Sequence, residues 1–245
     1  MTLNEIISDI KNKKELKGLD NKFIQTIASD NGDILAKFSK IDFKKLKRTR
    51  EYKKFFKNIR KKLRLVYGIS NELSFKERYP CYKEIYPKIF SITGFPKTIL
   101  DLACGLNPLS YEFLGCKPFY YASELTEKDC IIIKNFFEKN NIKGSVFKFD
   151  LLNDDYKKLP ESDVCFLFKV LEALEAVKLN LSREILQKIP AKYVIVSFAK
   201  VALGQKTKIK KKGRIWFRSM LKALGYPYDI LDIGNEIFFV IKRKV

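Results

Sequence analysis

The chain has 245 residues with 46% hydrophobic and 13% aromatic side chains, which excludes a disordered segment and leaves room for a full α/β core with a smaller appended unit. Its 49 Lys and Arg against 28 Asp and Glu give a formal charge of +21, and histidine is absent, which removes the commonest metal ligand and the usual general base near neutrality. Five cysteines (Cys81, Cys104, Cys116, Cys130, Cys165) share no CxxC spacing and no apolar run reaches the roughly 18 residues of a membrane span, so reduced thiols, no metal, no membrane attachment and a cytoplasmic setting are expected.

Helical periodicity runs through the first 95 residues. Leu3, Ile6, Ile7 and Ile10 share one face, a turn follows near Gly18, and Phe23, Ile24 and Ile27 open the next face. Residues 40–64 hold thirteen Lys or Arg against only Asp42 and Glu51. Within that run Tyr52, Phe55, Phe56, Ile59, Leu63, Val66 and Tyr67 recur at helical spacing, with Lys53, Lys54, Lys57, Arg60, Lys61 and Arg64 mostly between them. One face packs and the other is basic. Such a face suits phosphates, an anionic membrane surface or plain solvation. A second acid-free run, 206–222, carries eight more cations, and the apolar face of the first is needed for its own small core, so nucleic acid is the preferred reading. The phosphate-facing residues expected are Lys44, Lys45, Lys47, Arg48, Arg50, Lys53, Lys54 and Lys57 in the first run, and Lys200, Lys206, Lys208, Lys210, Lys211, Lys212 and Arg214 around the second.

From residue 96 strands and helices alternate. Thr98 to Ala103 reads as a buried strand that runs into the turn Cys104-Gly105-Leu106-Asn107-Pro108, and Phe119 to Glu124 as a second strand ending in an acid. A helix from Thr126 to Lys139, strands at Ser145–Asp150 and Asp163–Lys169, a helix at Glu172–Gln187, a strand at Tyr193–Phe198, a helix at Ile215–Leu224 and a final strand at Ile237–Ile241 complete the series. This alternation predicts a mostly parallel sheet with helices on both faces, with ligands bound at the carboxyl ends of its strands.

The first turn has a nucleotide-site character. Gly105 permits a tight backbone, and Glu124, about twenty residues after the turn begins, stands where ribose hydroxyls are usually held. Ala103 and Asn107 replace the glycines that would flank Gly105 in a dinucleotide motif, leaving less room for a pyrophosphate. A cofactor without one, such as S-adenosylmethionine, fits better. The alternative is a plain βα turn of another doubly wound protein.

The residues resemble the aminoglycoside-resistance 16S ribosomal RNA guanine-N7 methyltransferases. The resemblance is carried by Asn71–Arg78, by Asp101–Leu109, by Asp163–Lys169, by Val196-Ser197-Phe198, by Trp216-Phe217 and by Gly234-Asn235-Glu236, in that order along the chain. It implies a helical N-terminal domain, residues 1–95, that docks on the small ribosomal subunit, and a Rossmann-like class I methyltransferase domain, residues 96–245. It also implies that Arg78 meets the cofactor carboxylate, that Ala103 and Gly105 line the methionine end, that Glu124 holds the ribose, and that Asp150 and Leu151 flank the adenine, and Asp101 is a further expected cofactor-binding residue. Phe168 and Lys169 would sit beside the transferred methyl. The chain departs from the family at Ala199, where a proline is expected after Ser-Phe, and at Glu124, where an aspartate is expected.

Guanine N7 presents a free lone pair, so methyl transfer to it needs positioning rather than a base, in keeping with a chain that lacks histidine. Phe168-Lys169-Val170-Leu171 stands where exocyclic-amine enzymes carry Asn-Pro-Pro-aromatic, and Cys165 lies within a strand, which argues against cysteine-dependent carbon methylation. The expected partner is ribosomal RNA or the small subunit, engaged by a monomer. A non-catalytic RNA-binding or assembly factor of the same fold, and a methyltransferase for transfer RNA, are the alternatives.

Overall fold

The computed structural model describes residues 3–13, 16–29, 32–67, 71–201 and 214–243. Five helices come first: α1 (Leu3–Lys11), α2 (Asn21–Ser29), α3 (Gly32–Phe38), α4 (Phe43–Leu46) and α5 (Arg50–Val66). α5 begins where Thr49 accepts a hydrogen bond from the Tyr52 amide, and it buries Tyr52, Phe55, Ile59 and Leu63, one turn apart, against Ile6, Ile10, Phe23, Ile27 and Phe38. Lys53, Lys54, Lys57 and Lys61 between them are left exposed, as the sequence pattern predicts.

Two further helices, α6 (Asn71–Arg78) and α7 (Tyr82–Thr93), precede the sheet. Tyr82, Ile85, Tyr86, Ile89 and Phe90 of α7 pack in one cluster with Ile99, Tyr120, Phe166, Phe168 and Phe238, so α7 belongs to the sheet's core although it lies ahead of residue 95. Seven strands follow among the described residues: β1 (Thr98–Leu102), β2 (Phe119–Glu124), β3 (Gly144–Lys148), β4 (Ser162–Phe168), β5 (Ala191–Ala199), β6 (Tyr228–Ile233) and β7 (Glu236–Lys242). They form one sheet in the order β3-β2-β1-β4-β5-β7-β6. The first five are parallel, and β7 runs antiparallel to both β5 and β6. α8 (Glu127–Lys139) lies with α7 on one face, and α9 (Leu171–Val177), α10 (Leu181–Lys188) and α11 (Ile215–Leu224) on the other.

Four details depart from the sequence expectation. The turn after β1 enters a 3₁₀ helix, Asn107–Leu114, with Pro108 in its first turn. The helix expected over Glu172–Gln187 is broken into α9 and α10 at Asn180, whose φ of +64° a short polar side chain tolerates, while the Glu175 carboxylate accepts from the Asn180 and Ser182 amides. β3 ends at Lys148, so Asp150 stands in the loop beyond it. β6 was not expected, because Tyr-Asp-Ile-Leu-Asp-Ile does not alternate cleanly, as befits a half-exposed edge strand.

The first five helices rest on the carboxyl ends of the strands. Thr26 donates to Asn153 at 2.7 Å, the Tyr67 hydroxyl donates to Asp129 at 3.2 Å, Lys148 pairs with Asp20, and Val177 of α9 is buried in the helical cluster. Among the described residues no helix is long and apolar enough to cross a membrane.

Candidate cofactor cleft and RNA-facing surface

From Ile99 to Leu102, β1 is buried and apolar except for Asp101, which is 1% exposed. Its Oδ2 accepts from the Tyr120 hydroxyl at 2.6 Å and from Asn107 Nδ2 at 2.8 Å, while Oδ1 is buried with no hydrogen-bond partner among the described residues. Burial pushes the Asp101 carboxyl up to about 6 against the opposing effect of those hydrogen bonds. The chain then turns sharply, with Ala103 at φ +50° and Gly105 at φ +55°. Ala103 adopts a conformation costly for a residue with a Cβ, and such strain is held where the surrounding structure fixes it.

Glu124 closes the opposite side of this turn. Its Oε1 accepts from the Gly105 amide at 2.5 Å and its Oε2 from the Leu125 amide at 3.0 Å, and burial holds it up to about 7 despite both bonds. Asp150 accepts from the Leu152 amide and from Asn153 Nδ2, at 2.8 and 2.6 Å, and burial raises its carboxyl as well. A cleft at the carboxyl ends of β1, β2, β4 and β5 is lined by Ala103, Glu124, Asp150, Leu151, Phe168, Lys169 and Ala199, and is closed from above by Leu65, Val66 and Tyr67. The predicted residues Ala103, Glu124, Asp150, Leu151, Phe168 and Lys169 therefore share one cavity wall.

Arg78 does not line this cleft. It is 5% exposed, stacked over Phe168 at 4.7 Å, with Nε and Nη2 donating to Oε1 and Oε2 of Glu236 at 2.8 and 3.0 Å and Nη1 lying 3.4 Å from Asn107 Oδ1. Asn107 Oδ1 also accepts from the Tyr82 hydroxyl at 2.8 Å. Lys169, held at φ +59° by its amide's bond to the Ser197 carbonyl, places Nζ 3.1 Å from Glu236 and 3.5 Å from Glu77. Glu236 further accepts from the Ser197 hydroxyl at 2.7 Å. Burial alone would raise its carboxyl, but Arg78 and then Lys169 outweigh burial and hold it below the usual range. A buried polar chain thus runs Tyr120–Asp101–Asn107–Arg78–Glu236–Lys169 beneath the cleft.

Sequence reasoning gave no role to Asn107, Glu236 or Ser197. Glu236 did carry a signal: it is the only acid in the otherwise apolar strand Glu-Ile-Phe-Phe-Val-Ile, and it follows the two-residue turn in which Gly234 takes φ +52°.

On the helical unit Lys44, Lys45, Lys47, Arg48, Arg50, Lys53, Lys54 and Lys57 are all exposed. Lys47 is paired with Asp9 at 2.5 Å, whereas Lys54 and Lys57 rim a groove floored by Phe38 and Phe55. Lys206, Lys208, Lys210, Lys211 and Lys212 lie outside the described residues. Lys200 is half-buried and pairs with Asp232. Arg214 departs from the expected exposed position. It is 3% exposed, donates to the Ala199 carbonyl, lies 3.6 Å from Glu172 and covers the Phe198 ring, so its charge is spent inside the fold. All five cysteines are unpaired, with Cys104, Cys130 and Cys165 buried, and no group of metal-ligating side chains occurs among the described residues.

A family model described as ribosomal RNA methyltransferase (FmrO) matches residues 64–240. The chain belongs to this family. Two curated relatives are each named 16S rRNA (guanine(1405)-N(7))-methyltransferase. The one from Frankia casuarinae is 27% identical over 173 residues, covering 69% of this chain and 61% of that protein. The one from Proteus mirabilis is 31% identical over 179 residues, covering 69% of this chain and 62% of that protein. The match therefore spans about three fifths of those relatives' length. Among solved structures, the 16S rRNA methyltransferase RmtF in complex with S-adenosyl-L-homocysteine superposes with a TM-score of 0.75 at 18% identity, covering 99% of this chain and 98% of that one. The 16S rRNA methylase ArmA superposes with a TM-score of 0.59 at 25% identity, covering 70% and 86%. The fold is the Rossmann-like class I methyltransferase sheet preceded by helices, as the sequence predicts.

Proposed function

We propose that this chain is an S-adenosylmethionine-dependent enzyme that methylates N7 of a guanine in small-subunit 16S ribosomal RNA. The observation that carries the reading is the cleft itself, at the carboxyl ends of β1, β2, β4 and β5 in a member of the ribosomal RNA methyltransferase family, with a buried acceptor left unpaired on Asp101, two residues before Ala103 of its wall. An unpaired buried carboxylate oxygen suits a cationic or donor-rich ligand, and the amino-acid end of S-adenosylmethionine supplies an ammonium. When bound, that cofactor supplies a methyl group made electrophilic by its sulfonium.

The chain's own residues then divide the work. Asp101, Ala103 and Gly105 hold the amino-acid end, Glu124 accepts from ribose hydroxyls, and Asp150 and Leu151 flank the adenine. Arg78, behind the cleft wall, acts at second hand by fixing Glu236, Asn107 and the Phe168 ring. Phe168 shields the transfer site from water, and Lys169, its ammonium committed to Glu77 and Glu236, presents charge near the target without acting as a base. That commitment favours a nucleophile needing no deprotonation, such as guanine N7, over a ribose hydroxyl. The exposed lysines of α4 and α5 serve RNA phosphates, and the chain works as a cytoplasmic monomer on the ribosomal small subunit.

Incubating the full chain with assembled small subunits and methyl-labelled S-adenosylmethionine tests this. Label is expected on one guanine of 16S RNA, located by primer extension after cleavage at N7-methylguanine. RNA binding without label would support a non-catalytic assembly factor, and label on transfer RNA alone would overturn the substrate.

A further inference from the structure

The end of the basic helix α5 and the cofactor cleft are the same place. Its last residues, Leu65 and Val66, and the capping residue Tyr67 line the cleft opposite Ala103, Glu124 and Leu125, although they lie outside the sheet domain. Leu65 is 39% exposed and stands in the cleft wall. Tyr67 is not free to swing. Its hydroxyl donates to Asp129 Oδ2 at 3.2 Å, and the same oxygen accepts from Thr126 Oγ1 at 2.5 Å. Thr126 is the N-cap of α8, two residues after Glu124, and its Oγ1 accepts from the Asp129 amide. A reciprocal cap therefore anchors the phenol ring to the strand end that carries the ribose-facing acid.

We propose that Tyr67, with Leu65 and Val66, forms the roof of the cofactor cleft over its nucleoside side, so that the helical unit contributes directly to cofactor affinity as well as to RNA docking. This rests on the cofactor reading given above. Tyr67 is a positioning residue: its ring supplies an apolar cover, and its hydroxyl bond to Asp129 fixes the height of that cover above Glu124. A rigid aromatic held by one polar tether at a cleft rim loses little side-chain freedom on ligand binding.

Calorimetry of the full chain with S-adenosyl-L-homocysteine separates the possibilities. Tyr67→Phe, which keeps the ring and removes the tether, is expected to weaken binding about three- to ten-fold. Tyr67→Ala is expected to weaken it by about ten-fold or more. A filter-binding affinity for small subunits measured without cofactor should stay within about two-fold of the parent for Tyr67→Phe, which a general loss of structure would not allow. Parent-level affinity for S-adenosyl-L-homocysteine in both variants would overturn the roof while leaving the cofactor reading intact. Should the unsubstituted chain itself give no heat, the reading beneath the proposal falls with it. If Tyr67→Ala does not fold, Tyr67→Phe and a Leu65→Ser variant decide, with unchanged binding in both counting against the proposal.

Discussion

Glu236 grips Arg78 along two edges, at 2.8 and 3.0 Å, across 158 residues of sequence and with both side chains almost fully buried. The same carboxylate holds Lys169 and Ser197, so one acid on β7 sets the position of groups from α6, β5 and the end of β4. Charges taken out of water are stable only while paired, and removing one partner strands the others. Glu236→Gln should therefore destabilise the fold by about 3 kcal/mol. It should also release Lys169 from its place at the cleft wall and lower methyl transfer. Urea unfolding followed by circular dichroism checks the first effect, and label incorporation at saturating cofactor checks the second.

Asp101 has one satisfied and one unsatisfied oxygen in the same buried carboxyl group. A group in that state costs free energy in the ligand-free protein and regains it when a donor arrives. Asp101→Asn removes the charge and should weaken S-adenosyl-L-homocysteine binding by about ten-fold or more, read by calorimetry at pH 7.5. Equal affinity in the variant would place the cofactor's ammonium elsewhere.

The parts legible in the sequence were those in which a local pattern and the tertiary role coincide. Ile99, Leu100 and Leu102 are apolar because β1 is buried on both faces, and Glu124 ends its strand at the cleft, so strand, turn and acid could be read from spacing. The basic face of α5 was equally plain, since every buried position on it is apolar and its cations fall between. What escaped depends on long-range pairing. The local motif around Arg78 gives no sign of its partner, which appears only when β7 places Glu236 against it. Arg214 reads as part of a basic loop until Ala199 and Glu172 meet it inside the fold. The apolar end of α5 reads as ordinary helix packing, and only its docking above β2 turns it into a wall of the cleft.

Glu124 and Asp101 make a prediction about pH. Burial holds Glu124 at about 7 rather than 4.5 and Asp101 at about 6 rather than 3.8. Between the unfolded and folded values the native state binds more protons than the unfolded chain, so the ligand-free protein should lose stability as pH rises from about 5 to about 8. Cofactor hydroxyls and an ammonium favour the ionised carboxylates, so affinity for S-adenosyl-L-homocysteine should increase over the same window. No histidine titrates there to obscure either trend. Calorimetry and thermal melts from pH 5.5 to 8 should show both slopes, and Glu124→Gln should flatten most of each.

Lys53, Lys54 and Lys57 stand exposed on the basic face of α5, and Lys54 and Lys57 border a groove with apolar Phe38 and Phe55 at its base. If they neutralise phosphates, each releases counterions on binding, and the logarithm of the affinity falls linearly with the logarithm of salt. Replacing all three by Ala should reduce that slope by roughly 3 and weaken small-subunit binding at low salt. Affinity for S-adenosyl-L-homocysteine should be untouched, because these side chains project from the helix about two to three turns before Leu65. Filter binding over a salt series provides the measurement. A slope equal to that of the parent chain would mean that these lysines are only a solvated face and that docking relies on other cations.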